Sequence, residues 1–237
     1  MKIYGKNSIS ERLKVSPKSI VRIFLEKSPA NADIEKTIRA SHIPIQYFSS
    51  QEFKKASRDI PSQGLIAEIG EFEYFDFDEL LECSKKEPYV ILFLDSLNDP
   101  QNLGSILRTA ACFGRFSAVI PKHDSVEVTE AVLRVAQGAE NYVPVCKAVN
   151  LSQAIDKSKA AGYWIGGAVV DSGEDLRKTK LNFPLGIVIG SEGKGIRQGL
   201  IRHLDFKLTL SMQGADLTFN AAVAAAIFCY EAVRQRG

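Results

Sequence analysis

The sequence holds no Cys-x-x-Cys pair, two methionines, one tryptophan and three histidines. Its four cysteines, Cys83, Cys112, Cys146 and Cys229, are scattered along the chain. That spacing argues against a metal centre or a redox pair, so no metal is expected. The four read instead as small buried apolar residues in a reducing cytosol. No stretch reaches the roughly 18 apolar residues that a membrane span needs. Charges run through the amino terminus, which excludes the apolar core of a leader peptide. The expectation is a cytoplasmic protein with no membrane partner. Internal repeats and low-complexity tracts are also missing. Neither charge sign is in large excess, since the net charge is +2; bulk charge therefore does not announce nucleic acid.

What is present is ordinary globular material: 237 residues, 45% apolar and 24% charged. That suffices for one large domain or two modest ones. The distribution of charge says more than its total. Residues 1–60 carry twelve Lys and Arg against six Asp and Glu, whereas residues 68–87 carry eight acids against Lys85 and Lys86. A basic first segment supplies phosphate attraction, although any single lysine there equally fits a solvated face.

Ser8 and Glu11 have capping-box spacing and predict a short helix to Lys14. Strands are expected at residues 20–25, 45–48 and 64–69. Between them, one helix starts at Asn31 or Asp33 and ends before Pro44. A second capping box, Ser49 with Glu52, opens a helix through about Ser57. This is a small α/β module over residues 1–70. Residues 71–88 read as a linker whose aromatics, Phe72, Tyr74, Phe75 and Phe77, either anchor it or stack on bases.

From Tyr89 onward the pattern changes. Residues 89–94 form a continuous apolar run, as in a strand buried on both faces. Similar strands are expected at 118–120, 142–145, 164–170 and 185–189, with helices at 105–113, 128–137, 151–161 and 195–203. That predicts an open, mostly parallel sheet with helices on both faces. A dinucleotide fold would place Gly-x-Gly-x-x-Gly after the first strand. That place holds Asp99-Pro100-Gln101-Asn102-Leu103-Gly104 instead.

Three stretches stand out. Residues 99–108 and 189–196 are turns rich in Gly or Asn that follow apolar strands and lead into helices. Residues 210–227 turn at Gly214 and restart near Asn220 as an alanine-dense helix free of Gly and Pro to Arg236. Read alone, the last is a tightly packed core helix. Together, in this order, they resemble the three motifs of the SpoU (TrmH) family of RNA 2'-O-methyltransferases. The first contributes Asn102 and Arg108, the second Glu192 within Gly190-Ser191-Glu192-Gly193, the third Asn220. The resemblance spans nearly the whole chain and is nearest to the branch that methylates a guanosine ribose in 23S ribosomal RNA.

The resemblance implies an L30e-like RNA-binding domain at residues 1–70 and an α/β-knot methyltransferase domain, trefoil-knotted, at 89–237. It implies S-adenosylmethionine as cofactor, RNA as partner and a homodimer, with residues 105–113 and 222–234 at the interface. Cofactor contacts would come from Gly190, Leu210 and Phe219, with Ser191, Gly193, Met212 and Thr218 beside them and Gly166 or Gly167 at the rim. Asn102, Arg108, Glu192 and Asn220 would form the catalytic set, with Arg108 directed toward the carboxyl edge of the sheet. A guanidinium gives up its proton with great difficulty. Arg108 would therefore fix phosphate and stabilise the developing alkoxide while a nearby oxygen takes the proton. Glu192 would orient Arg108 or Asn102, or simply favour a helix amino terminus. Asn220 would cap its helix. The third motif departs from the family's Ser-Leu-Asn-Val-Ser: this chain has Thr218-Phe219-Asn220-Ala221-Ala222, and Ser211 where a proline is usual. Those departures keep open the reading of a noncatalytic RNA-binding or ribosome-assembly factor. A transfer RNA relative of the same family is a further alternative, against which the amino-terminal module argues.

Overall fold

The computed structural model describes residues 1–57, 60–214 and 217–236. Arg58 and Asp59 of the basic segment, Ala215 and Asp216 of the alanine-rich stretch, and Gly237 lie outside the described residues.

The first sheet is built from β1 (Lys2–Tyr4), β2 (Ile20–Glu26), β3 (Ile45–Phe48) and β4 (Leu65–Ile69), in the order β1-β4-β2-β3. β4 runs antiparallel to both β1 and β2, while β2 and β3 are parallel. Helices α1 (Lys6–Val15), α2 (Ala32–Ala40) and α3 (Ser50–Ser57) connect them. The capping box at Ser49 forms as expected: Glu52 Oε2 accepts from the Ser49 amide, and the Glu52 amide donates back to Ser49 Oγ. The one expected at Ser8 does not. α1 starts earlier, after Gly5 at φ 86°, and Ser8 is buried within the helix. β1 escaped the sequence reading because three residues carry too little periodicity.

α4 (Phe77–Cys83) leads into the second sheet, capped by Asp76, whose Oδ1 accepts from the Asp78 and Glu79 amides. The segment expected as a linker is therefore packed structure. Phe75 bridges to Cys146, Phe77 meets Phe93 edge-on, Tyr74 accepts from the Val128 amide, and Leu80 is buried. These aromatics anchor the segment.

The second sheet contains β5 (Val90–Leu94), β6 (Phe116–Pro121), β7 (Val145–Ala148), β8 (Trp164–Ala168), β9 (Glu174–Asp175), β10 (Leu185–Ile189) and β11 (Phe206–Thr209), in the order β7-β6-β5-β10-β8-β11-β9. Every ladder among them is parallel. Helices α5 (Pro100–Phe113), α6 (Glu130–Ala136), α7 (Leu151–Ala160), α8 (Gln198–Ile201) and α9 (Ala221–Arg236) complete the chain. β5 shows why a doubly covered strand is apolar throughout: Val90, Leu92 and Leu94 join one core, Ile91 and Phe93 the other.

Several expected bounds shift for local reasons. α5 begins five residues early, because Asp99 Oδ1 caps the Gln101 amide and Pro100 suits the first helical position. The strand expected at 142–145 starts only at Val145, since a 3-10 turn (Ala139–Asn141) precedes it and Pro144 lacks a ladder donor. The helix expected at 195–203 shrinks to α8, because Gly195 takes φ 64° and Arg197 stays extended in the grip of Asp95. Cys146 and Cys229 are buried, and burial pushes both thiols up to about 12. Cys83 and Cys112 are exposed, against the expectation for all four.

Candidate active site

In an open parallel sheet, ligands gather outside the carboxyl ends where strand order reverses. Here β5 is that point: the chain leaves it for β6 on one side, while β10 lies on the other. Three chain segments meet at this edge. α5 leaves it after β5, the loop 190–197 follows β10, and α9 begins beside both.

The motif residues bond one another directly. Asn102, in the first turn of α5, donates from Nδ2 to Glu192 Oε1 at 2.6 Å. Asn220 Nδ2 donates to the same oxygen at 2.5 Å and to Asn102 Oδ1 at 3.0 Å. Asn220 Oδ1 meanwhile accepts from the Ala222 and Val223 amides. One amide thus caps α9 and ties all three motifs together. Asn102 is buried, whereas Glu192 and Asn220 are exposed. Of the two partners considered for Glu192, the structure gives it Asn102.

Arg108 does not join this triangle. It lies six residues further along α5, which is about 9 Å along the axis and roughly 120° around it. It is exposed and lies mid-helix rather than at the helix start expected from the sequence. Among the described residues it has no hydrogen bond or ion pair.

Beside Glu192 opens a cavity of about 500 Å³. Seven expected cofactor residues line it: Gly190, Ser191, Gly193, Leu210, Met212, Thr218 and Phe219. Gly190 is required sterically, since an added Cβ would sit 2.1 Å from the Gly195 carbonyl carbon and 2.3 Å from the Ile196 nitrogen. Gly166 and Gly167 do not line the cavity. They are interior to β8, where an added Cβ would strike the Phe206 ring at 2.5 Å or the Leu204 side chain at 2.4 Å. The corresponding rim is formed by residues 168–172 just beyond them.

Two supports were not foreseen. Asp95, fully buried at the end of β5, accepts from the Arg197 amide at 2.8 Å and from its Nε at 2.7 Å, closing the loop that carries Glu192. An acid placed directly after a doubly buried strand was the available signal. Ser211 Oγ donates to Asp175 Oδ2 at 2.7 Å. Asp175 also takes Arg177, and these contacts hold its carboxyl well below the usual carboxylate range, Arg177 first and Ser211 next. The serine that replaces the usual proline thus tethers the cavity loop to β9. Among the described residues, no cluster of His, Cys, Asp or Glu is arranged to hold a metal, and no helix is long and apolar enough to cross a membrane.

Comparison with known proteins bears on the family and the fold. Residues 89–230 match the SpoU rRNA Methylase family, and residues 2–75 match the RNA 2'-O ribose methyltransferase substrate binding family. YacO of Bacillus subtilis (strain 168), named for the TrmH family of tRNA/rRNA methyltransferases, is 34% identical over 99% of this chain and 95% of its own. The SpoU methyltransferase AviRb from Streptomyces viridochromogenes, in complex with the cofactor AdoMet, superimposes with TM-score 0.83 at 20% identity, covering 100% of this chain and 90% of that one. The TrmH/SpoU tRNA modifying enzyme of A. aeolicus reaches TM-score 0.57 at 23% identity and covers 68% of this chain and 84% of its own. With matched motifs bonded at one sheet edge and family matches across nearly its whole length, this chain belongs to the SpoU family of RNA methyltransferases.

Proposed function

We propose that the protein is an S-adenosylmethionine-dependent enzyme that methylates a ribose 2'-hydroxyl, that of a guanosine in 23S ribosomal RNA, and works as a cytoplasmic homodimer. The observation that carries this reading is the direct bonding of Asn102 and Asn220 to Glu192, which lines the 500 Å³ cavity. A pocket of that size suits a nucleoside cofactor. The close backbone approach at Gly190 and the side chains of Leu210, Met212, Thr218 and Phe219 suit its adenosine and methionine parts.

When bound, the cofactor supplies a methyl group on a positively charged sulfonium, so the protein needs only to hold, orient and deprotonate. Glu192 Oε1 is occupied by two amide donors, whereas Oε2 accepts no hydrogen bond among the described residues. Oε2 is the oxygen that takes the hydroxyl proton, and the two asparagines fix its direction. Arg108 is exposed on α5 and makes no hydrogen bond or ion pair among the described residues; in this reading it serves the site of a second copy, where its fork binds phosphate and the developing alkoxide. The groove of about 530 Å³ between α5 and α9, with Val223 and Tyr230 exposed, is where that copy seats. The trefoil knot and the L30e-like character of residues 1–70 belong to the same reading, with residues 71–88 as the connection to the methyltransferase domain at 89–237.

Ribosomal rather than transfer RNA is favoured by the amino-terminal module, since the tRNA enzyme covers only 68% of this chain. Calorimetry with S-adenosylmethionine separates an enzyme from a noncatalytic RNA-binding factor. Mapping 2'-O-methyl groups in ribosomal RNA from cells lacking the gene tests the substrate: loss of one guanosine methylation is expected, and an unchanged map would overturn it.

A further inference from the structure

Arg12, on α1, and Glu140, in the 3-10 turn before β7, meet between the two sheets. Arg12 Nη2 donates to Glu140 Oε1 at 3.1 Å, and the residues are 9% and 5% exposed. Nearby, the Lys2 amide donates to Glu130 Oε1 at 2.7 Å, and the Tyr142 hydroxyl donates to Glu11. Gly138, at φ 95°, lies directly under α1: an added Cβ would be 2.8 Å from Glu11 Cβ and 3.4 Å from Ser8 Cα. The same turn and α6 pack against α5, the helix that carries Asn102 and Arg108. A buried charge is tolerated only beside its partner. The pair therefore selects one placement of the first module and penalises the others.

We propose that Arg12 and Glu140 are positioning residues: they hold the amino-terminal module in one register against α5, so that RNA docked on the module is presented to the methyl-transfer site at a fixed distance. Neither residue touches cofactor or acceptor. The inference rests on the reading of residues 1–70 as the RNA-docking module. Its expected scale is that of a misplaced substrate, where about 1 Å costs about 100-fold in rate.

The test uses the full-length protein with Arg12→Ala and, as the milder variant, Glu140→Gln. Single-turnover methylation with saturating RNA should fall about 100-fold in Arg12→Ala, with RNA and S-adenosylmethionine affinities unchanged. Spin labels at Lys54→Cys and Lys122→Cys, with Cys83 and Cys112 replaced by serine, read the placement without RNA. One narrow distance is expected in the parent protein and a broadened distribution in both variants. An unchanged rate, or a distribution unchanged in both, overturns the proposal. So does a rate loss matched by lost RNA affinity, which would place the pair in the RNA surface itself. Should the variants fail to fold, a broad distribution in the parent protein still overturns it. A parent protein that methylates no RNA sinks the functional reading and leaves the distance result standing.

Discussion

Two polar clusters in this molecule join residues far apart in sequence, and they are built on opposite terms. The Asn102–Glu192–Asn220 triangle sits at an open sheet edge, and both asparagine Nδ2 groups donate within it. The Arg12–Glu140 pair is closed off from water, yet Arg12 Nε and Glu140 Oε2 have no partner there. An exposed cluster leaves an oxygen free for substrate at little energetic cost. A buried one trades stability for a single arrangement, because a lone charge in its place would be expensive. In the proposed reading, chemistry sits in the first and placement in the second.

That contrast can be broken first at the triangle. Asn220→Ala removes two bonds within the cluster and two cap bonds to α9. Single-turnover methylation should fall about 10²–10³-fold, while urea denaturation shows a loss of about 1 kcal/mol, the usual scale for a helix cap. A large stability loss with an intact rate would make Asn220 a cap and nothing more.

The next largest effect concerns how separable the two modules are. A fragment beginning at Tyr89 loses Phe77, packed on Phe93, and the buried Leu80. It should melt about 10 °C below a fragment beginning at Phe72. Equal melting temperatures would mean that α4 contributes no core.

Within the full chain, Glu140→Ala leaves Arg12 buried without its partner and should cost about 3 kcal/mol by denaturant titration. A change near zero would mean that water already solvates the pair.

The smallest effect is in pH dependence, where two carboxylates respond with opposite sign. Burial raises Glu140 above its ordinary 4.5 despite Arg12. Its contribution is fully present below that value and is lost as pH rises through the raised one. Asp175 is lowered, chiefly by Arg177, so its contribution is present above 3.8 and lost as pH falls below. Relative to Glu140→Gln, the parent protein should therefore lose stability on going from acid toward neutral pH. Parallel melting curves for the two would remove Glu140 from the titration.

The same contrast explains what the sequence made legible. Asn102, Glu192 and Asn220 each follow a strand end or open a helix, places where turn chemistry leaves a local signature. The apolar runs of β5 and β10 announced a doubly covered sheet for the same reason. Arg12 and Glu140 have no such signature: 128 residues separate them, and each looks like an ordinary surface charge. Short strands such as β9 exist only through their neighbours and offered no periodicity. Gly166 and Gly167 looked like ligand-facing glycines, yet their small size serves the packing of Phe206 and Leu204. Arg108 was visible as a motif residue, but its place within the helix depended on where α5 begins, and the Asp99 cap moved that start back by five residues.

The most direct measurement is transfer of a labelled methyl group from S-adenosylmethionine to 23S ribosomal RNA by the purified protein, followed by alkaline hydrolysis. A 2'-O-methyl group removes the hydroxyl that alkali uses to cleave the adjoining phosphodiester. The account expects label in alkali-resistant dinucleotides, and its near disappearance with Asn220→Ala. Label released in mononucleotides, or no transfer at all, would contradict it.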